Sequence, residues 1–417
     1  MNFNGWDRFD MGIYHHFNQT HNFFEDDYES ASKHDERESE DIGSLLNLCN
    51  LQPEDFSAGW SRMDATRGKD VVLEVSHRAN DRYHHQTKYF SSVDNYFDRK
   101  LSSRKCQIVK ELSNPEIVQM PFVTESFKIS LIVPVQEKDS QKTMTLLRSF
   151  AKNAIEKNDR IFLMLVFLYS PERPDKNNNN DFFKEVKQLA LQISKKYKKD
   201  QSKSSSHLLW YSMQTKGQTP TDTELMDLVT QKLDNKTIIL LGSPDMEMKA
   251  DYFNRVRMNT IQNKQVFCPI PFTEYHPSIV YGDKRPPVSL VFNTTAGHFD
   301  NFNTGHVSFY KSDYLQARQS GGGDSVIKHE SELKDKHEED DEDDVDLCQM
   351  FRRQNNLHAL RAPDPGLLLR YEEVTCDEGV IKDSDKMQLC KLRNQRSFAR
   401  RKTLAMMVLD REARSRN

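Results

Sequence analysis

The chain has 417 residues, 29% charged and 36% hydrophobic, with 59 Lys and Arg against 63 Asp and Glu. That length allows two to three domains, and the low apolar share assigns part of the chain to solvated loop or tail. A net charge of −4 excludes bulk nucleic-acid or polybasic membrane binding, whose leading electrostatic contribution would have the wrong sign.

Residues 1–115 are polar and read as a linker-like region, partly disordered, with a charge-rich stretch at Glu25–Asp41. The opening MNFNGWDRFD does not have the charged-then-apolar order of a signal peptide. Residues 116–417 read as one α/β domain. Ile129–Val135 (ISLIVPV) is a short, β-branched apolar run, the pattern of a buried parallel strand. Ser140–Ile155 has helical spacing, and Ile161–Tyr169 is a second buried strand. The longest apolar run is that second strand, far short of the roughly 18 residues a membrane helix needs. A helix over Asp181–Tyr197, a strand at His207–Met213 and a helix over Thr221–Leu233 follow. A strand at Thr237–Leu241, a helix at Ala250–Gln262 and a strand at Gln265–Phe272 complete the alternation. Strand and helix in turn predict a mostly parallel sheet flanked by helices. Trp210 reads as core. His276, His298 and His306 read as turn or packing residues. The segment 328–346 is an acidic loop, with eleven Asp or Glu between His329 and Asp346, and reads as solvated.

Six cysteines form no CxxC pair, which argues against a zinc ribbon. Cys376 and Cys390 bracket a short polar loop and are either a disulfide or two free thiols, depending on the compartment. Asn18, Asn235 and Asn293 each open an Asn-x-Thr sequon.

Chemistry in such sheets collects at the carboxyl ends of strands. After TIILL comes Gly242-Ser243-Pro244-Asp245. Glycosyltransferases of the single-sheet GT-A kind place an Asp-x-Asp there, whose carboxylates hold a divalent cation against a leaving diphosphate. Here Ser243 replaces the first acid and Asp245 alone remains, a position where a lone Asp is ordinarily a turn residue. Eight phrases in one order carry a wider resemblance: PFVTES (Pro121–Ser126), GSPD (Gly242–Asp245), YFNRVRMNTI (Tyr252–Ile261), VFCPIPFTEYHP (Val266–Pro277), GHFD (Gly297–Asp300), FYKSDYLQAR (Phe309–Arg318), DVDL (Asp344–Leu347) and LHALRAPDPGLLLRY (Leu357–Tyr371). With them the chain resembles the chondroitin synthase / N-acetylgalactosaminyltransferase family of hexosyltransferases, in its C-terminal half.

The resemblance implies a GT-A-like fold and a place in chondroitin elongation on the lumenal side of the Golgi cisterna membrane. It also implies a signal anchor and an N-terminal half that this chain does not include. An oxidising lumen makes Cys376–Cys390 a disulfide and the three sequons usable. Active members carry Gly-Trp-Gly and then Glu-Asp. Here Gly321-Gly322-Gly323-Asp324 matches the segment upstream, no Gly-Trp-Gly follows, and Asp343-Asp344 fall where Glu-Asp should be. The metal-binding His that active members carry ahead of a Cys is absent before Cys376. The resemblance therefore implies a polymerizing-factor role with weak or no activity, exercised in a hetero-complex with a chondroitin synthase on the nascent chondroitin chain. The alternative is an active hexosyltransferase taking a UDP-sugar, with Mn²⁺ on Asp245 and Asp343 or Asp344 as base. A third reading is a module that binds the glycan through Arg393–Arg401.

Overall fold

The computed structural model describes residues 14–23, 32–34, 36–48, 53, 56–64, 68–79, 82–91, 116–118 and 127–415, the last span apart from 158, 172–180, 199–206, 218, 235–236, 250, 288, 294, 321–325, 334–345, 355, 374 and 377–383. The chain divides into two compact units, one of residues 1–122, 270–302 and 361–417, the other of residues 123–269 and 303–360.

The first unit corrects the expectation for residues 1–115. β1 (His15–Phe17), β2 (His21–Phe23), β3 (Ser32–Lys33), α1 (Glu36–Leu48), β4 (Phe56–Asp64), β5 (Gly68–Ala79), β6 (Arg82–Ser91) and β7 (Glu116–Val118) all fall there or at its edge. The strands form one sheet in the order β3-β2-β1-β4-β5-β6-β7. Every pairing in it is antiparallel. Strands such as RYHHQTKYFS carry few apolar residues, so their ladder hydrogen bonds leave no hydrophobic signal to read. Their apolar residues are few but concentrated: Phe17, Phe56, Val71 and Leu73 close on Leu45 and Leu46 of α1. Nor is the region a separate linker. The His16 ring packs on Phe23, Trp60, Phe292 and Phe299, and Trp60 Nε1 donates to the Pro363 carbonyl at 2.5 Å. Residues from three distant segments thus share one interior, and the boundary expected at 115/116 does not describe it.

The second unit holds β8 (Ile129–Val135), α2 (Ser140–Phe150), β9 (Ile161–Tyr169), α3 (Lys184–Lys198), β10 (His207–Gln214), α4 (Asp222–Thr230), β11 (Ile238–Leu241), β12 (Met246–Met248), α5 (Tyr252–Asn259) and the first half of β13 (Gln265–Glu274). The chain returns to this unit, after α6 (Pro277–Val280) and β14 (Gly297–Phe299) of the first, for β15 (Val307–Tyr310), α7 (Lys311–Ser320) and α8 (Leu347–Arg352). It ends in the first unit with β16 (His358–Leu369), α9 (Ser384–Phe398) and α10 (Arg401–Ser415).

Strands β10, β9, β8 and β11 are neighbours in that order and parallel, as expected from their apolar runs. The fifth predicted strand is different. β15 inserts between β11 and β13 and runs antiparallel to both. It is only four residues long and leads straight into α7, too short for a periodic signal. α2 buries Met144, Leu146, Leu147 and Phe150, and its predicted continuation to Ile155 is a single wider turn of π-helix. α4 opens on a capping box: Glu224 N donates to Thr221 Oγ1 at 3.2 Å, and Thr221 N to Glu224 Oε2 at 2.8 Å. Trp210 is half-buried rather than core, because β10 is the edge strand.

Asp227 of α4 ties the helices behind the sheet together. It accepts from Tyr314 Oη at 2.5 Å, Arg318 Nη2 at 2.7 Å and the Ile327 amide at 3.0 Å. A disulfide joins Cys268 of β13 to Cys348 of α8, with Cα atoms 6.2 Å apart and a sequence separation of 80. The first unit holds a second disulfide, Cys376–Cys390, Cα atoms 5.8 Å apart. Closing a loop of that longer kind restricts the unfolded chain, so replacing Cys268 and Cys348 together by Ala is expected to cost roughly 2–4 kcal/mol in urea unfolding. Peptide mapping without reductant should return Cys268–Cys348 and Cys376–Cys390; any other partner for Cys268 would overturn the packing of β13 described above.

Candidate functional site

The chain runs β8 to β9 to β10 in one direction across the sheet and then crosses back, so that β11 lies on the other side of β8. The crevice where strand order reverses, beyond the carboxyl ends of β8 and β11, is where open α/β sheets bind ligands. β11 ends there in Gly242-Ser243-Pro244-Asp245. The Gly242 amide still donates to the Ile132 carbonyl at 2.9 Å, and the Met246 amide closes the turn on the Ser243 carbonyl at 3.3 Å. A side chain at position 242 would meet Met246 Sδ at 2.6 Å and Leu131 Cδ1 at 2.9 Å, so glycine lets the turn leave the sheet.

β15 supplies the facing residue. Its antiparallel register pairs Leu241 with Val307, so His306 arrives beside Ser243. His306 Nε2 lies 3.1 Å from Ser243 Oγ, and its Nδ1 lies 3.2 Å from Asn303 Oδ1. Asn303 Oδ1 also accepts from the Gly305 amide at 3.2 Å, which identifies that atom as the oxygen. His306 therefore carries its proton on Nδ1, and Ser243 donates to Nε2. Only 1% of His306 is exposed. Burial drives its pKa down to about 4, outweighing the pull of nearby Asp245 toward the charged form. An imidazole so hard to protonate is a poor base, and the Ser–His–Asn arrangement does not make Ser243 a nucleophile. It ties the turn to β15.

Ser243 and Asp245 are both half-buried, and Asp245 is the one carboxylate of the turn. Among the described residues no group of three or more His, Cys, Asp or Glu could hold a metal ion. One carboxylate beside a hydroxyl committed to His306 does not match the oxygen-rich set a hard divalent cation takes. His306 was a packing histidine on sequence grounds; only the pairing of two strands 63 residues apart brings it to Ser243.

The other expected positions scatter. Asp343, Asp344 and Asn235 lie outside the described residues. Asp346, at the end of the acidic segment, caps α8 by accepting from the Gln349 amide at 2.7 Å. Asn18 and Asn293 sit in turns where Oδ1 accepts from the threonine hydroxyl two residues on, at 3.3 and 3.2 Å. His276 acts as a turn residue in the first unit, its Nδ1 accepting from the Ser278 amide at 3.2 Å. His298 stacks on Tyr275 in the same unit.

The family model described as chondroitin N-acetylgalactosaminyltransferase matches residues 1–404. The chain belongs to this family. Chondroitin sulfate synthase 2 of Mus musculus is 29% identical over 362 residues, 87% of this chain and 42% of that protein. Chondroitin sulfate glucuronyltransferase of Homo sapiens is 25% identical over 369 residues, 85% of this chain and 44% of that protein. The chain thus spans less than half the length of these two relatives. Among solved structures, S. aureus TarS 1-349 in complex with UDP-GlcNAc aligns with 64% of this chain and 66% of that one at 14% identity, with a TM-score of 0.32. That likeness is too distant to carry weight on chemistry.

His306 also governs acid stability. The folded state binds fewer protons than the unfolded chain, whose imidazole titrates near about 6.5. Its contribution is complete above that pH and is lost as the pH falls toward about 4, by about 3 kcal/mol. The urea midpoint should drop across that window, and His306→Gln should remove the His306 share of the slope, with buried His298, also lowered to about 4, contributing the rest. An unchanged slope would show that the imidazole is not held neutral.

Proposed function

We propose that this chain serves the elongation of chondroitin chains as a family member whose own sugar-transfer chemistry is weak or absent. The observation that carries the reading is the turn after β11. The residue that would supply a first acid is Ser243, its hydrogen is given to His306, and Asp245 is left as the single carboxylate. A diphosphate leaving group needs its charge met as it departs, and this turn offers little for that. The sheet and its helices are nonetheless intact, so what the fold offers is a surface rather than a reaction centre. Its partners in this reading are a chondroitin synthase, in a hetero-complex, and the nascent chondroitin chain. Two disulfides suit an oxidising compartment, in keeping with a place on the lumenal side of the Golgi. There Asn18 and Asn293, in turns with their sequon threonines, are the expected glycan carriers.

The competing reading is an active UDP-sugar hexosyltransferase, with Mn²⁺ held at Asp245 and Asp343 or Asp344 as base. Titration of UDP into the purified chain with and without Mn²⁺ separates the two. Weak binding with little Mn²⁺ dependence is expected, and Ser243→Asp should raise the Mn²⁺-dependent affinity by about tenfold, the order of one added charged contact. Tight Mn²⁺-dependent binding by the unaltered chain, abolished in Asp245→Ala, would overturn the proposal in favour of its rival. Co-expression with a chondroitin synthase should lengthen the polymer, and Asp245→Ala should leave that effect in place.

A further inference from the structure

Only Ala399 and Arg400 separate α9 from α10, yet the two helices are held very differently. The end of α9 is fixed: the His276 amide donates to the Phe398 carbonyl at 3.1 Å, and Ala399 is buried. α10 is covered only near its start, at half-buried Thr403 and Leu404. Ala405, Met406, Met407, Val408 and Leu409 follow, all apolar and all exposed, the last four by 54, 44, 56 and 59%. Successive helical residues turn by about 100°, so five in a row point to every side of the helix. The stretch is therefore open to solvent all round. Elsewhere among the described residues, exposed large apolar side chains such as Leu209 and Val291 stand singly in sequence, which is ordinary for a protein surface. A helix of 15 residues with so little cover is marginal in water on its own. Charge gathers at the same place. Residues 391–417 hold nine Lys or Arg against two Asp or Glu, in a chain whose net charge is −4.

We propose that α10 is a docking helix, taken up by an apolar groove with an acidic rim on a protein partner. Two other kinds of cover fit the observations less well. A lipid surface covers one side of a helix and suits a one-sided apolar face, whereas Met406 and Val408 lie about 160° apart around the axis. A second copy of this chain, paired through α10, would bring two strongly cationic segments together, and like charges facing each other cost an interface several kcal/mol by general estimate, about a thousandfold in affinity. A groove in a different protein encloses the helix on several sides. Acidic groups on its rim meet the Lys and Arg of 391–417 and steer the encounter. Two adjacent methionines suit such a groove, because their unbranched side chains adapt to its shape. The assignment of the groove to a chondroitin synthase rests on the elongation role proposed above; the chemistry of the groove does not.

The test is binding of the purified chain to an immobilised chondroitin synthase, with amide hydrogen exchange read in the free and bound chain. The amides of 406–409 should exchange readily in the free chain and roughly tenfold more slowly in the complex. Met406→Gln/Leu409→Gln should weaken binding by roughly tenfold or more, because each change removes an apolar side chain from the groove. Both positions are exposed, so the urea midpoint should not move. Lys402→Gln, at another exposed position, should slow association and flatten its salt dependence. An unaltered affinity in the double variant, or exchange at 406–409 that is the same free and bound, would overturn the docking helix. So would dimerisation of the chain alone, or its binding to vesicles of phosphatidylcholine and phosphatidylserine, where the double variant abolishes it, since either result gives the helix a different occupant. Polymer length on co-expression keeps the two proposals apart. A chain that lengthens the polymer without engaging the synthase through α10 refutes the docking helix and leaves the elongation role standing. One that docks through α10 yet leaves polymer length unchanged does the reverse.

Discussion

The antiparallel pairing of β11 with β15 is the constraint on which the candidate site depends. Four residues from each strand fix the register, and that register carries His306 to the end of β11. Once there it is shielded from water, oriented by Asn303 and bonded to Ser243. The Ser243 hydroxyl in the turn after β11 is therefore engaged by a neutral imidazole. The hydroxyl and the neutral imidazole add no charge of their own to the turn, whose carboxylate is Asp245. The same strand insertion also sets the order of the sheet's neighbours, so the chemistry of the turn and the topology of the sheet have one origin.

Polar interactions of long sequence separation recur throughout the second unit. Asp227 is fully buried and accepts hydrogen bonds from α7 and from Ile327, about a hundred residues away in sequence, and its charge is met by Arg318. Arg257, 1% exposed, is bound to Asp159 and to the Phe127 carbonyl at 2.7 Å. A buried charge of this sort adds little net stability over an apolar replacement, yet removing one partner is severe. Its effect is to fix which helix lies where. The Cys268–Cys348 bridge does the same covalently for β13 and α8.

The first unit is assembled differently. Three stretches far apart in sequence contribute to one interior, in which the His16 ring contacts Trp60, Phe292 and Phe299. Its cations are not all matched. The second unit meets Arg257 and Arg318 with carboxylates, whereas Arg400 Nε and Nη2 of the first are buried with no hydrogen-bond partner.

The sequence by itself determined the parallel half of the sheet. ISLIVPV, IFLMLVFLY and TIILL are almost continuously apolar, and such runs are stable only when both faces are covered. The GSPD turn and the missing acid at Ser243 were equally legible, because they follow directly from one of those strands. Family membership was legible in the same way, from phrases spread along the chain. Tertiary structure alone decided the rest. The polar strands of the N-terminal sheet are held by backbone hydrogen bonds that leave no mark in side-chain hydropathy. β15 is too short for periodicity. His306 and Cys348 acquire their partners through contacts with residues tens of positions away, and no local pattern records a contact that distant.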